Sequence, residues 1–404
     1  MRGLILLAAA VLLPIARPAA AQESADTTQR SVDRLETSWK IYPSPIWGKT
    51  AGFAAGVGYE IDNLFFPDSR ILATAKPGQF LGRYTLTYFV ADAFKSPVYG
   101  LANVYYETTG HQWYYGLGPG SSRDDLVAVE RHMVEAEIRA GVQPFDRRFF
   151  VQPVAKFVRH DVENFELERK GAVGRLSPES LENLVLSTDR VFKGIGFGVA
   201  AGIDLRDNPI RSTKGLYLQG FATRYDFSEP SGLAYDQFGA SAHAFLPFRD
   251  NTLAVRAVVE LTRNEGDVDI PFFLLPSLHG RMLPGYSWNR FFGNDLFALQ
   301  FEYVVPVFDV LNWAALDALL SVGAASVYDD LFDQFKPALT FDRELEPGRE
   351  TYPLRPSAAI GFQIESLSRH DFNLRVLLGW GSEGVRAVRF GFVQDLRDIE
   401  LSYR

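Results

Sequence analysis

Cysteine is absent from this chain of 404 residues, and methionine occurs only 3 times. The absence of cysteine excludes a disulfide scaffold and any thiolate metal site. The mean hydropathy of −0.05 is too low for a bundle of membrane helices, each of which needs about 20 consecutive apolar residues. Basic residues are outnumbered, with 41 Lys and Arg against 49 Asp and Glu. We therefore expect no nucleic-acid partner, because phosphate contacts need clustered basic side chains.

Aromatic residues, in contrast, are abundant. They make up 14% of the chain, with 32 Phe, 17 Tyr and 6 Trp. This content excludes an intrinsically disordered chain. The length alone would suggest two or three soluble domains, although β-barrels depart from that rule.

The first 21 residues have the organisation of a secretory signal peptide. Arg2 supplies a positive charge, an apolar core follows, and a run of small residues ends at Ala21. We expect export with cleavage after Ala21, then a polar periplasmic tail at 22–44 and one membrane domain at 45–404. This division leaves no room for a separate periplasmic domain before the barrel.

From residue 48 onward, apolar and polar residues alternate with period two. Between residues 297 and 308 the odd positions are apolar or aromatic, while the even positions include Gln300 and Glu302. A strand places successive side chains on opposite faces, so one face of each strand is apolar. The same pattern recurs in other segments, at 134–139, 217–227, 253–261 and 374–380. The sequence therefore predicts an all-β protein built from many strands.

A membrane barrel explains these strands better than a soluble sandwich. The second face of the strands is rich in Gly, Ala and charge, which suits a barrel interior. Aromatic groups near segment ends predict interfacial girdles, and we expect the aromatic excess on the lipid-facing side; these groups are Trp113-Tyr114-Tyr115, Phe149-Phe150 and Phe291-Phe292. Lipid requires every backbone group to be paired, which closed barrels achieve.

The predicted fold is a transmembrane antiparallel β-barrel of sixteen strands, with twelve to fourteen as alternatives. The predicted location is the bacterial cell outer membrane. Its lipid and lipopolysaccharide are then expected partners. Long polar stretches at 161–190, 264–294 and 329–355 are interpreted as loops, and the segments between the other strands as short turns.

Two motifs and the strand after them carry a resemblance to a known family. The first motif is the turn Asp207-Asn208-Pro209 followed by Gly215, where Asn-Pro forces a turn and Gly tolerates a positive φ. The second lies in 278–294, with Gly280, Arg281, Pro284, Gly285, Tyr286, Arg290, Phe291 and Gly293. In this order, and with the strand at 296–308, they resemble the BamA/TamA-type outer-membrane assembly barrels, also called bacterial surface antigens.

The resemblance implies a lid loop, at 277–294, that folds back into the barrel lumen and is followed by five strands. It also implies a role in outer-membrane biogenesis, meaning insertion or transport of protein or lipid. A lateral seam between the first and last strands would carry out that role, since unpaired edges are templates for strand pairing. A separate periplasmic protein or a client chain would then be a partner, because the periplasmic repeats of the full assembly proteins have no counterpart here.

The lid differs from the family in its central triplet, where Pro284 replaces Arg. The resemblance pairs that Arg with an Asp in the second following strand, and our best register places Gly323 there. Both charges would then be missing together, which can be nearly neutral in energy. One hypothesis is that Arg281 reaches Asp317, which shares a strand face with Gly323. The alternative is that Arg281 is solvated and the register is wrong by two residues.

No motif predicts an enzyme, a metal site or a cofactor. The six histidines are scattered, and no Gly-x-Ser-x-Gly elbow is present. Two Ser-x-His pairs could each share a strand face, as a catalytic pair would require: Ser241 with His243, and Ser277 with His279. These residues are better interpreted as small polar residues of the lumen or of loops. Acidic runs lack EF-hand spacing and are better explained as solvated loops: Asp124-Asp125, and Asp329-Asp330 with Asp333.

Two other functions stay open beside the assembly barrel. One is a passive pore or small-solute transporter of the outer membrane. The other is an outer-membrane lipid hydrolase, for which Ser241 and Ser277 would be the candidate nucleophiles.

Overall fold

The computed structural model describes residues 37–43, 46–48, 52–66, 69–78, 81–90, 97–143, 148–163, 176–207, 212–278, 282–287, 289–311, 314–343, 345–346, 348–366 and 373–393. The predicted signal peptide and most of the tail at 22–44 lie outside these residues. Their boundaries therefore stay predictions.

Strands make up nearly all of the regular structure. The strands before residue 205 are β1 (Ser38–Pro43), β2 (Ile46–Gly48), β3 (Gly52–Ala54), β4 (Val57–Asp62), β5 (Ser69–Lys76), β6 (Leu81–Val90), β7 (Val98–Tyr114), β8 (Val127–Val142), β9 (Phe149–Glu163) and β10 (Arg190–Asp204). The later strands are β11 (Gly215–Glu229), β12 (Ala234–Phe248), β13 (Asn251–Asn264), β14 (Ser277–Leu278), β15 (Phe291–Phe292), β16 (Asp295–Leu311), β17 (Ala314–Tyr328), β18 (Phe335–Leu339), β19 (Tyr352–Ser366), β20 (Asn373–Gly381) and β21 (Gly384–Val393).

Helices are short and lie in the loops. In the part of the chain that the structure describes, they are α1 (Pro178–Ser187), α2 (Leu331–Gln334) and two 3₁₀ turns at Arg123–Asp125 and Phe272–Leu274. Helix α1 begins where Ser177 accepts a hydrogen bond from the Ser180 amide at 3.2 Å, with Pro178 at the first helical position, where its missing N–H costs nothing. Within the described ranges, no helix is long and apolar enough to cross a membrane.

The long strands form one antiparallel meander, in which each strand pairs with its neighbours in the chain. In its first hairpin Ser38 lies opposite Asp62 and Gly48 opposite Gly52, so β1 with β2 and β3 with β4 keep one continuous register. The meander then runs from β4 to β13, continues through β16, β17 and β19, and ends with β20 and β21. Cα atoms of β2 and β21 come within 8 Å, so the two ends of the meander lie side by side.

Burial alternates along the strands as the sequence predicts. In β13, Arg256 and Glu260 are buried, while Leu253, Val255 and Val259 on the other face are partly exposed. We call the buried face inward and the other face outward. The alternation confirms the all-β antiparallel architecture. The expected number of sixteen strands stays a prediction.

The aromatic residues of β11 correct one expectation. Tyr217, Phe221, Tyr225 and Phe227 are only 4–7% exposed and lie on the inward face, not on the lipid-facing side. The reason is the neighbouring strand β10, whose inward face is largely glycine. A Cβ placed on Gly196 would lie 2.6 Å from the Tyr225 ring. Flat rings can therefore lie against the wall because glycine leaves room for them.

The predicted turn after β10 is held by one carboxylate. Asp207 accepts hydrogen bonds from the amides of Thr213 at 3.0 Å and Lys214 at 3.2 Å. Gly215 follows with a φ of 119°, and a side chain there would overlap the Leu205 carbonyl. The turn motif thus has the glycine conformation that the sequence predicts, while Asn208 and Pro209 lie outside the described residues.

Replacement of Gly215 by alanine should weaken the fold at this turn. The backbone conformation is open almost only to glycine, so we expect a loss of about 1–3 kcal/mol in the free energy of unfolding. Urea titration, followed by the heat-dependent gel mobility of the folded protein, measures the change. Gly220→Ala is the matched control, because the nearest atom to its Cβ would be 3.6 Å away. Equal losses in both variants would contradict the assignment.

Candidate functional site: the lid loop and its anchors

The loop that joins β13 to β16 spans residues 265–294, and its second part, the predicted lid loop at 277–294, crosses the space enclosed by the inward faces. Leu278, Met282 and Leu283 are buried in it. They share one hydrophobic cluster with inward residues of five strands, namely Ala200, Phe221, Val258, Ala298 and Ala325. The segment predicted to be a lid therefore fills the lumen. Gly280 and Arg281 lie outside the described residues.

The tip of the lid docks on the wall formed by β19 and β20. The Gly285 amide donates to Ser357 Oγ at 2.9 Å. The Tyr286 hydroxyl donates to the Pro356 carbonyl at 3.2 Å and accepts from the Ser382 amide at 3.1 Å. A Cβ on Gly285 would overlap the Trp380 carbonyl, so this close approach requires glycine.

Arg290 is a fully buried cation that joins three elements. Its Nε donates to Glu383 Oε1 at 2.6 Å, in the turn between β20 and β21. Its two terminal nitrogens donate to Ser121 Oγ at 3.0 Å and to the Ser121 carbonyl at 2.8 Å, in the loop between β7 and β8. The guanidinium is thus compensated by a carboxylate and by two neutral acceptors, as a buried charge requires.

A second buried arginine, Arg355 of β19, lies beside the first. Its Nη2 donates to the Pro119 carbonyl at 2.8 Å, and its Nη1 to the Asp342 carbonyl at 3.0 Å. The Phe291 ring lies 4.2 Å from the Arg290 guanidinium and 4.7 Å from that of Arg355. Cation–π attraction to the two guanidinium groups explains why this ring is buried. The expectation that Phe291-Phe292 belongs to an interfacial girdle is therefore wrong.

An aromatic cap covers the lid on the side of the long loops. Tyr114 packs against Phe272 at 4.3 Å between ring centroids and against Phe292 at 6.0 Å. Helix α1 is tied to the segment before the lid because Asn183 donates to the Ile270 carbonyl at 2.9 Å and accepts from the Phe272 amide at 2.9 Å. Tyr114 is thus part of a loop cap and not of the expected girdle, which stays a prediction for Trp113.

A polar network lies on the inward faces of β13, β16, β17 and β20. Glu302 accepts from Arg256 at 2.6 Å and from Arg375 at 3.2 Å. Gln300 donates to Ser321 Oγ at 3.0 Å. Because β20 lies three strands from β16 in the meander, the Arg375 contact spans part of the enclosed space. The network therefore crosslinks the wall strands.

The hypothesis of an Arg281–Asp317 pair stays untested by these contacts. Asp317 is buried on the inward face of β17 and accepts a hydrogen bond from Gln363 Nε2 at 3.0 Å. Gly323 faces inward on the same strand, and a Cβ there would lie 3.4 Å from the Met282 carbonyl. The lid thus passes directly over the position where the resemblance implies an Asp.

Several anchors of the lid do not follow from the sequence, among them Arg355, Ser357, Ser382 and Glu383. At Ser382 and Glu383 the sequence indicates only a short turn between strands. Their lid partners, Tyr286 and Arg290, are more than 90 residues away in the chain. Only a rule that a buried arginine needs a carboxylate could have suggested Glu383.

The candidate hydrolase residues Ser241 and His243 are not joined by a hydrogen bond. Ser241 and His243 lie two residues apart on the inward face of β12, and both are buried. Neither the Ser241 hydroxyl nor either ring nitrogen of His243 has a hydrogen-bond partner among the described residues. Ser277 donates to Asn289 at 3.2 Å, and His279 lies outside the described residues. Asp330 caps α2 by accepting from the Phe332 amide at 2.9 Å.

Comparisons with known proteins identify the fold. No protein-family profile and no curated protein matches the chain. The structure is similar to that of "BamA from Haemophilus ducreyi lacking POTRA domains 1-3", with 16% identity and a TM-score of 0.59 over 88% of this chain and 70% of that one. It is also similar to CdiB from Escherichia coli, with 9% identity and a TM-score of 0.51 over 89% of this chain and 60% of that one. The chain thus has the fold of a BamA-type outer-membrane β-barrel, as the resemblance implied.

The buried pair of Arg290 and Glu383 should behave as a coupled unit. Arg290→Met or Glu383→Leu alone leaves a buried charge without its partner, so each should cost about 3–5 kcal/mol in the free energy of unfolding. The double variant should cost clearly less than the sum of the two. Urea unfolding of the four proteins measures the coupling.

The matched control is Arg224→Met. The Arg224 side chain is 50% exposed beside Asp226, so its loss should change the stability by only about 0–1 kcal/mol. Strictly additive losses for Arg290 and Glu383 would contradict a direct pair.

Proposed function

We propose that the protein inserts or translocates polypeptide clients at the outer membrane, and that its lid controls opening of the seam between the first and last strands. The observation that carries this proposal is the attachment of the lid to the last hairpin. Tyr286 and Arg290 both bond to the turn between β20 and β21.

The attachment links two movements. β21 lies beside β2, so the last hairpin is one side of the seam. Displacement of this hairpin away from β2 would pull Ser382 and Glu383 from Tyr286 and Arg290. A lid without these bonds would lose its hold on the lumen wall. Opening of the seam and release of the lid are therefore expected to occur together.

An open seam provides a chemical reason for client binding. A strand without its neighbour exposes backbone N–H and C=O groups, which are a template for an incoming strand. The likeness in fold to BamA and CdiB barrels supports a role in outer-membrane protein translocation. The chain spans 60–70% of those two chains. A separate periplasmic protein that delivers the client is also part of the proposal. Outer-membrane lipid and lipopolysaccharide are its expected surroundings.

The passive pore has less support. The lid fills the lumen, and the cap around Tyr114 and Phe272 covers the lid on one side. A steady open channel would require both to move. The lipid hydrolase also has less support, because Ser241 and His243 are not hydrogen-bonded to each other. That the protein is not an enzyme remains our prediction.

Client folding in vesicles tests the proposed function. The full chain is reconstituted into phospholipid vesicles, and an unfolded β-barrel client is added in dilute urea. We expect faster appearance of the folded client than with empty vesicles. Glu383→Leu should change this rate, since it uncouples the lid from the hairpin, whereas Arg224→Met should not. Equal rates with protein-containing and empty vesicles would overturn the proposal.

Conductance separates the lidded barrel from the pore. The intact protein should show little conductance in a planar bilayer, and deletion of 277–294 should open it. Gly285→Ala should raise the frequency of openings, because a Cβ there overlaps the Trp380 carbonyl. Gly100→Ala is the control, since its Cβ would be 4.0 Å from the nearest atom. Steady, large conductance of the intact protein would favour the pore.

A further inference from the structure

The loop at 329–351, between β17 and β19, folds over the outside of the barrel; we call it the outer flap. On β17 the odd-numbered residues Asp317 and Ser321 are buried and inward, so even-numbered residues are outward. Tyr328 is outward by this count, yet it is fully buried. By the same alternation Tyr352 of β19 is outward, and it is only 4% exposed. Something must therefore cover the outer surface at this end of the wall.

The residues that cover it belong to the outer flap. Leu331 and Leu345 form a cluster with Tyr328 and Tyr352. This cluster packs against outward side chains of β13 and β16, namely Val259, Leu261 and Phe297. The Phe335 ring lies 5.5 Å from that of Phe297, in an edge-on arrangement. The inner side of the flap therefore lies on the outward face of the barrel wall.

Hydrogen bonds at two places along the flap fix it in this position. Asp295 of β16 accepts from the Leu331 amide at 2.8 Å and from Arg263 at 3.0 Å. The Thr340 amide donates to the Leu354 carbonyl at 2.9 Å, beside the short parallel pairing of β18 with β19. The flap is therefore held at two places, so its exposed side faces away from the barrel wall.

That exposed side carries three large apolar side chains among charged ones such as Asp333, Lys336 and Asp342. Phe332 is 76% exposed, Phe341 74% and Leu339 57%. Clustered exposed apolar side chains mark a surface that contacts a membrane or a partner. Further along the outward face, beyond Phe297, Phe301 and Val322 lie opposite each other and are also exposed. This wall is the lipid-facing surface of the outer-membrane barrel fold.

We propose that the outer flap is a membrane anchor, which inserts Phe332 and Phe341 among the acyl chains of the leaflet at the long-loop end of the barrel. Continuity with the lipid-facing wall argues for lipid as the occupant. Phenylalanine can bury at the boundary of headgroups and acyl chains while neighbouring charged residues stay among the headgroups, and Asp333 and Asp342 follow Phe332 and Phe341 in the chain. On one side of the barrel, at β13, β16 and β17, the anchor would extend the lipid-contacting surface toward the long-loop end. It is independent of what the barrel transports.

The chain contains no cysteine, so single-site spin labelling can test the anchor in the full-length protein. Phe332→Cys and Phe341→Cys are labelled with a nitroxide and reconstituted into phosphatidylcholine vesicles. Collision rates with oxygen, which concentrates in lipid, and with a water-soluble nickel chelate are then compared. Phe301→Cys is the lipid-facing reference, and Val185→Cys on α1, which is 54% exposed in the loop cap, is the reference for water.

We expect both flap positions to resemble Phe301→Cys, with oxygen collisions several-fold above those with the chelate. A preference for the chelate, as at Val185→Cys, would overturn the anchor. Protection from both reagents would also overturn it, because a protein partner or a second copy would then cover the flap. Heat-dependent gel mobility checks that each variant is folded, and the exposure of both side chains makes unfolding unexpected.

Discussion

The buried charge of Arg290 is the constraint on which the arrangement of the lumen depends. Taking a guanidinium out of water costs several kcal/mol unless acceptors surround it. Glu383 and Ser121 supply those acceptors, and they come from the last hairpin and from the β7–β8 loop. The lid, the cap and the end of the sheet must therefore take up their positions together. The apolar ring of Phe291 packs against both the Arg290 and the Arg355 guanidinium groups at this site.

A second constraint is the space that the lid needs between the inward faces of the wall. The inward face of β10 provides it, because its glycines let the rings of neighbouring strands lie flat against the wall. Ala200 and Ala298 have small side chains at the place where Leu278, Met282 and Leu283 pack. Larger residues at these places would compete with the lid for the same volume. The packing of the lid thus depends on both the lid side chains and the small inward residues of the wall.

The sequence predicts those features that depend on neighbours along the chain. Alternation identifies the strands, and the turn at Asp207 and Gly215 follows from residue type alone. Alternation does not say which face is inward, however, and for β11 the aromatic face is inward because of glycines on another strand. The contact of Arg290 with Glu383 also depends on how distant strands are brought together. The lid could therefore be located from the sequence, but its anchors could not.

The position of the lid's buried ion pair has a physical consequence. The described part of the tip is held by its backbone and by Tyr286. The ion pair lies at Arg290, and its partner is in the last hairpin. An ion pair with a strand in the middle of the sheet would not be affected when the edge of the sheet moves. Because this ion pair joins the lid to the last hairpin, movement of that edge, where a client strand would pair, also affects the lid.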